Sequence, residues 1–136
     1  KAGTSPSIAG LSGGGYEVAF QANNGQLYLW GTALNNATGQ GMAAGTSPSI
    51  AGLSGGGYEV AFQANNGQLY LWGTALNNAT SQGMKTGTSP SITGLASNGY
   101  EVAFQANNSQ LYLWGTAAKE STGQGMASGT SPSIAY

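Results

Sequence analysis

Residues 16–31 read YEVAFQANNGQLYLWG and carry the clearest structural signal of the chain. The first six residues alternate, so that the two aromatic rings and Val18 share one face of a strand, while the glutamate, alanine and glutamine share the other. Asn24 and Gly25 form a favoured hairpin turn, because both turn positions need a positive φ. The returning strand, residues 26–30, is apolar on both faces, which is typical of a strand between two layers. The pattern predicts a tight β-hairpin.

This hairpin is part of a unit that recurs every 42 residues. Its first tyrosine returns at Tyr58 and Tyr100, and the segment GTSPSI begins at residues 3, 45, 87 and 129. Such a period is typical of repeat proteins, in which each unit buries its apolar face against the next. The first two units differ at three positions, which indicates recent duplication or deliberate construction. The sequence predicts one repeat domain, residues 1–136, with units 3–44, 45–86 and 87–128 and a partial fourth unit, 129–136.

The rest of the unit indicates an all-β fold. Residues 5–9 have the pattern of a short strand with Pro6 at its start, and a glycine-rich turn follows. Residues 32–38 have the composition of a polar loop, and residues 39–43 that of a poorly formed fourth strand. Helical periodicity is absent. A meander of three or four antiparallel strands, repeated about an axis, is typical of β-propeller blades.

The composition excludes several classes of function. The chain has three lysines and four glutamates, but no arginine, aspartate, histidine or cysteine. We therefore expect no metal site, no cofactor and no disulfide. A net charge of -1 without arginine cannot neutralise a phosphate backbone, so neither nucleic acid nor an anionic membrane is an expected partner. No apolar run is long enough to span a bilayer.

Catalysis is also not expected. Three of the four carboxylates, Glu17, Glu59 and Glu101, are copies of one position in different units, and the fourth is Glu120. Copies on separate units do not provide the closely spaced pair of acids that glycoside hydrolysis needs. A serine or threonine nucleophile would have no histidine or aspartate to activate it. The sequence predicts a protein that is not an enzyme.

The balance of residues favours an extracellular protein. Only 5% of the residues are charged although 40% are hydrophobic, so that neutral polar side chains must supply the hydrophilic surface. This profile is more typical of exported β proteins than of cytosolic enzymes. No signal peptide is visible, so an exported form would be represented by its mature part. We expect a secreted or cell-surface location.

Three motifs of the unit, SPSI, GYEVAF and NNGQLYLWG, resemble the blades of bacterial β-propeller lectins and tectonin-like repeats. The resemblance covers about 28 residues of each unit and implies propeller blades that bind carbohydrate. The unit is also similar, more faintly, to six-bladed fucose lectins, which share the Asn-Asn-Gly hairpin and a strand that ends in tryptophan. Those lectins bind fucose with an arginine and a glutamate. Here arginine is missing, and Leu29 stands just before Trp30.

Two other architectures have three such units, namely a β-trefoil and a prism of three sheets. The chain lacks the Gln-x-Trp signature of ricin-type trefoils, and its tight hairpin fits propeller blades better. Propellers close with about 4 to 8 blades, so an arc of three would leave two apolar end faces bare. A homodimer that forms one six-bladed ring is the simplest closure.

The candidate site residues each have a structural and a functional interpretation. The glutamates could accept hydrogen bonds from backbone amides of the next blade or from sugar hydroxyls. The tryptophans could be wedges between blades or platforms under a pyranose. The amides near the turn suit neutral hydroxyls. The predicted carbohydrate-binding residues are Trp30, Trp72, Trp114, Gln21, Gln63, Gln105, Asn23, Asn65, Asn107, Glu17, Glu59 and Glu101.

These observations predict a multivalent module that binds neutral glycans in shallow sites between blades. The alternative is a structural or engineered repeat scaffold without a ligand. The segment GTSPSIA occurs four times, but the two hairpin strands occur only three times. Only one of the two end copies, residues 3–9 and 129–135, is therefore expected to pair within a blade, and we expect it to be the second.

Overall fold

The computed structural model describes all residues, Lys1–Tyr136. The chain forms three four-stranded antiparallel sheets, and the strands of each sheet are in sequence order. The first sheet contains β1 (Ser7–Gly10), β2 (Tyr16–Gln21), β3 (Gln26–Gly31) and β4 (Asn35–Gly41). The second contains β5 (Ser49–Gly52), β6 (Tyr58–Gln63), β7 (Gln68–Gly73) and β8 (Asn77–Gly83). The third contains β9 (Ser91–Gly94), β10 (Tyr100–Gln105), β11 (Gln110–Gly115) and β12 (Lys119–Gly125), with a 3-10 turn at Ala96–Asn98.

The three sheets are the blades of a β-propeller. Their first strands lie side by side, β1 next to β5 and β5 next to β9, and the hairpins extend away from them. One apolar cluster fills the space between the first and second sheets, and another fills the space between the second and third. Separate sheets with a core at each junction exclude the trefoil alternative. The structure contains no helix long and apolar enough to cross a membrane.

The predicted hairpin is confirmed in every unit, but the predicted turn geometry is wrong, because in the first turn only Gly25 and not Asn24 has a positive φ. In the first unit Gln21 pairs with Leu27 at the last position before the turn. The side-chain oxygen of Asn24 accepts a hydrogen bond of 3.0 Å from the backbone nitrogen of Gln26, and Gly25 adopts a φ of 84°. Local turn chemistry therefore sets the register of the two strands.

The fourth strand differs from the sequence prediction. It covers Asn35–Gly41, so that much of the predicted polar loop is a strand, and the predicted strand at residues 39–43 is wrong in its position. Asn and Gly are poor strand formers, but this is an edge strand whose pairing comes from β3. The hydroxyl of Thr38 donates to the carbonyl of Leu27 at 2.8 Å, where the register of the pair shifts.

Serines of the first strands join neighbouring blades. The backbone nitrogen of Ser47 donates to the hydroxyl of Ser89 at 2.9 Å, and that of Ile50 donates to the hydroxyl of Ser7 at 3.2 Å. The same two contacts recur around the arc with their residue numbers raised or lowered by 42. These hydroxyls satisfy backbone groups that face no strand of their own sheet.

Only one of the end copies of GTSPSIA pairs within a blade, as predicted, but it is the first and not the second. Residues Ser7–Gly10 pair with β2, whereas residues 129–136 form no strand, and their hydrogen bonds to the third unit are made through serine hydroxyls. The physical reason is that each second strand already pairs with the first strand of its own unit, so residues 129–136 meet no second strand that is free to pair. In addition, a Cβ on Gly52 would collide with the carbonyl oxygen of Gly10, and the equivalent residue of the last copy is Tyr136.

The two ends of the arc are uncovered. On the first sheet Ile8 is 66% exposed and Tyr16 44%, whereas their copies Ile50 and Tyr58 in the second sheet are 5% and 6% exposed. On the last sheet the leucines of β11 are partly exposed, although their copies in β3 and β7 are fully buried. Each end therefore presents an apolar face that internal blades bury.

Candidate functional site

The predicted site residues lie at two ends of each hairpin. Trp30 and Glu17 stand at the end away from the turn, and Gln21 and Asn23 stand at the turn. Four strand residues separate Trp30 from the turn side, a distance of about 13 Å. A single small sugar therefore cannot contact the tryptophan and the turn amides of one unit together.

At the first of these ends, Trp30 lies directly opposite Asn35 of the edge strand. The side-chain oxygen of Asn35 accepts a hydrogen bond of 2.7 Å from the backbone nitrogen of Gly31. The amide nitrogen of Asn35 makes no hydrogen bond within the chain, so it is free to donate beside the indole. The second unit repeats the arrangement with Trp72, Asn77 and the same distance of 2.7 Å.

The tryptophans of the second and third units pack between blades and leave part of the ring exposed. Trp72 packs against the apolar cluster between the first and second sheets, and Trp114 against the next cluster. Both remain partly exposed, while Trp30, which has no blade before it, is 58% exposed. In Trp72 and Trp114 one part of the ring is a wedge between blades, and the remainder is open to solvent.

The third unit differs at this position. Lys119 replaces the asparagine opposite Trp114, and its ammonium nitrogen lies 4.7 Å from the centre of the indole. This distance is typical of a cation–π contact, which covers a face of the ring. The third tryptophan is therefore less open to a stacking ligand than the first two.

The glutamates are buried and hold the adjacent loop. Glu17 is 0% exposed, and its Oε2 accepts hydrogen bonds from the backbone nitrogens of Ala33 and Leu34 at 2.9 and 3.1 Å. The copies at Glu59 and Glu101 make the same pair of contacts. The predicted structural bond to the next blade is wrong, because these partners belong to the same unit. The glutamate shapes the loop that leads to Asn35, and it leaves no oxygen exposed for a ligand.

Burial changes the pKa of Glu59, the glutamate of the second blade. The other oxygen of Glu59, Oε1, is buried and has no hydrogen-bond partner. Burial raises the pKa of the Glu59 carboxyl from 4.5 to about 7, although the amide hydrogen bonds from Ala75 and Leu76 act in the opposite direction. Burial of the Tyr100 side chain raises its pKa, with smaller contributions from the negative charges of Glu59 and Glu101.

The glutamines are also buried, and they fix the linker to the next blade. Gln21 is 1% exposed, and its amide nitrogen donates to the carbonyl oxygens of Met42 and Ala43 at 3.2 and 3.3 Å. Gln63 and Gln105 bond the corresponding linkers of their own units. Side chains engaged in this way stabilise the connection between blades.

The first asparagine of each turn is exposed, namely Asn23, Asn65 and Asn107. The second and third of them lie at a junction, because a Cβ on Gly41 would collide with the amide of Asn65, and one on Gly83 with that of Asn107. The turn asparagines thus contact the preceding blade where one is present.

The arrangement that the structure brings together is therefore a tryptophan and an asparagine, not a tryptophan with the predicted glutamate and glutamine. Sequence analysis did not identify Asn35, Asn77 or Lys119. The signal was present in the spacing, since the position five residues after each tryptophan is its cross-strand partner. This spacing predicts the partner of the tryptophan only when the fourth strand is assigned to its correct residues.

Comparisons with known proteins give a likeness of fold. No known protein family matches the sequence, and no curated protein matches it significantly. Among solved structures, the chain is similar to a fucose lectin from Kordia zhangzhouensis in complex with methyl-fucoside, with a TM-score of 0.53 and 13% identity over 85% of this chain and 100% of that one. A mutant of the Aleuria aurantia lectin in complex with Fucα1-6GlcNAc gives a TM-score of 0.49 and 12% identity, over 91% of this chain and 64% of that one.

Proposed function

We propose that this protein is a multivalent carbohydrate-binding module. The observation that carries the proposal is the repeated pair of a partly exposed tryptophan and an asparagine whose amide nitrogen is unoccupied, at Trp30 with Asn35 and at Trp72 with Asn77. An indole packs well against the C–H face of a pyranose, and an amide donates to its hydroxyls without a charge. A neutral glycan is therefore the best-fitting ligand class.

The likeness to the Kordia lectin supports the same proposal from another direction. That protein was solved with methyl-fucoside bound, and its fold is shared by this chain. The present chain has no arginine, so any sugar here is held by neutral groups and an aromatic surface. Such sites are shallow and individually weak, and several of them on one molecule raise the overall affinity for a glycan-coated surface.

A comparison of two tryptophan variants tests the proposal. Trp30→Phe combined with Trp72→Phe should weaken binding on a glycan array, because the ring that stacks on the sugar becomes smaller. Trp114→Phe is the control for Trp72→Phe, since both rings pack between two blades but Lys119 already covers the ring of Trp114. Unchanged binding of the double variant, at equal melting temperature, would show that these two tryptophans do not contact the ligand.

The rival proposal is a structural repeat scaffold without a ligand. The buried glutamates and glutamines favour it, because much of the polar chemistry of the repeat serves the framework. Absence of binding to every neutral glycan on the array would leave only this rival.

We further propose that two copies close one six-bladed ring. Support comes from the bare end faces, since a propeller normally has about 4 to 8 blades and rarely leaves such surfaces exposed. Light scattering should give twice the monomer mass of 13.6 kDa. A monomer at micromolar concentration would contradict the ring.

We also propose a secreted or cell-surface location. The support is the low share of charged residues, 5%, together with a ligand class that is displayed outside cells. Detection of the protein only in the cytosolic fraction of its source cells would contradict this location.

A further inference from the structure

The turn end of the first hairpin contains an open groove that its copies do not have. Its cavity has a volume of about 420 Å³. In the second unit the corresponding space is filled by Gly41–Ala43, the linker that follows the first blade. The groove of the first unit is lined by Lys1, Phe20, Gln21, Ala22, Asn23, Asn24 and Tyr28.

The chain makes the filling contact twice within itself. The backbone nitrogen of Asn65 donates to the carbonyl of Gly41 at 3.2 Å, and that of Ala43 donates to the carbonyl of Gln63 at 2.9 Å. Between these bonds Met42 lies opposite Ala64 as an antiparallel bridge. The junction of the second and third blades repeats all three features, with distances of 3.2 and 2.9 Å. Met42 is 2% exposed as a result.

The third unit has the same linker sequence, but its linker contacts no hairpin of a following blade. Residues 123–126 read GQGM, as do residues 39–42. A Cβ on Gly41 would collide with a neighbouring asparagine, whereas one on Gly125 would meet nothing. Met126 is only partly buried. One chain therefore contains both the groove and a linker that fits it, but the groove lies on the first blade and the linker follows the third.

We propose that Gly125–Ala127 of one copy docks into this groove of a second copy. Met126 then lies opposite Ala22, the nitrogen of Asn23 donates to the carbonyl of Gly125, and the nitrogen of Ala127 donates to the carbonyl of Gln21. Within a single chain this carbonyl of Gln21 already accepts a hydrogen bond of 2.9 Å from the backbone nitrogen of Lys1. The contact is head-to-tail, so that two copies related by a twofold axis make it twice and close a ring. It does not depend on carbohydrate binding.

Docking of a second copy also requires residues 129–136 to move. They lie beside β9, where the first strand of the incoming copy belongs, and the nitrogen of Ile134 donates to the hydroxyl of Ser91 at 3.1 Å. A Cβ on Gly94 would collide with the carbonyl oxygen of Gly52, so this position in the arc accepts glycine but not a larger residue. The residue that would follow Gly94 in this series is either Gly10 of the incoming copy, which is a glycine, or Tyr136, which is too large.

A disulfide between copies tests the docking directly, because the chain contains no cysteine. The bridge between Met42 and Ala64 is flanked by its two hydrogen bonds, which makes it a non-hydrogen-bonded pair with closely spaced Cβ atoms. Ala22→Cys combined with Met126→Cys should therefore give a covalent dimer on a non-reducing gel after mild oxidation. An equimolar mixture of the two single variants should also crosslink, and neither single variant should crosslink alone.

The internal pair Met42→Cys with Ala64→Cys is the matched control and should oxidise within one chain. If the control oxidises and the pair at residues 22 and 126 stays monomeric, the docking proposal is overturned. Crosslinking of Ala22→Cys to itself would overturn it as well, because a head-to-tail contact keeps the two copies of Ala22 apart.

Met126→Asp gives a second readout, since it should lower the mass in light scattering to that of one chain. An unchanged dimer mass would be evidence against the proposal. Glycan binding is measured separately, so either proposal can fail alone.

Discussion

A single side chain distinguishes the third tryptophan from the other two. Lys119 covers the ring of Trp114 at 4.7 Å, where the other units have asparagine. Lys119→Asn should uncover this ring and restore the amide, so that retention on an immobilised neutral glycan rises several-fold through the added site. Lys85→Ala is the control, because it removes the same charge at the linker and copies the residue of the first unit, Ala43. Equal retention of both variants would count against a binding role for the tryptophan–asparagine pair.

A second residue, Glu59, should make stability depend on pH. Its folded pKa is about 7 against an ordinary value of 4.5. Between these values the folded protein keeps a proton that the unfolded chain has lost, so the free energy of unfolding should fall as the pH rises from 4.5 to 7 and then level off. Glu59→Gln should remove this slope, with a melting temperature above that of the parent at pH 8 and close to it at pH 4.

The exposed Glu120→Gln is the control for this pH profile, because it changes the net charge by the same amount away from the core. A profile for Glu59→Gln that runs parallel to that of the parent would mean that the buried carboxyl is not the source of the pH dependence.

At the scale of elements, local chemistry explains what the sequence could predict. The alternation of β2 and the Asn-Gly turn are contained within a few residues, so the hairpin and its register were predictable. The fourth strand was not, since Asn35 and its neighbours become a strand only through pairing with β3. The tryptophan–asparagine pair was missed for the same reason. Burial of Glu17 and Gln21 could not be predicted from the sequence either, because it comes from loops and linkers distant in sequence.

The third hairpin offers a test of turn chemistry. Ser109 stands at the turn position of Gly25 and Gly67 and adopts a φ of 64°, a region that costs a residue with a Cβ more than glycine. Ser109→Gly should therefore raise the free energy of unfolding by roughly 0.5 to 1 kcal/mol, seen as a melting temperature a few degrees higher. Gly67→Ser, the reverse change in an equivalent turn, should lower it by a similar amount. Shifts of the same sign in both variants would contradict the role of the positive φ.

At the scale of the whole molecule, the proposed ring has one place for which the two end copies of one segment would compete. The first copy is joined to β2 by four residue pairs, Ser7 with Ala19 through Gly10 with Tyr16, and its glycine fits the crowded inner position. The second copy has Tyr136 at that position, 86% exposed, and its hydrogen bonds to the third unit are made through serine hydroxyls. We therefore expect the proposed ring to retain the first copy.

Two deletions separate these roles. Removal of Gly129–Tyr136 should leave the melting temperature and the dimer mass close to those of the parent, because the first strand of a second copy replaces the segment beside β9. Removal of Lys1–Gly10 should lower the melting temperature and reduce self-association, because β2 loses its inner partner and Tyr136 prevents the other copy from replacing it. Adding Tyr136→Gly to the second deletion should recover part of the loss, since the remaining copy then carries glycine where the arc requires it. Light scattering and thermal unfolding of the three variants measure this, and a monomer after removal of residues 129–136 would instead assign the inner strand of the ring to the second copy.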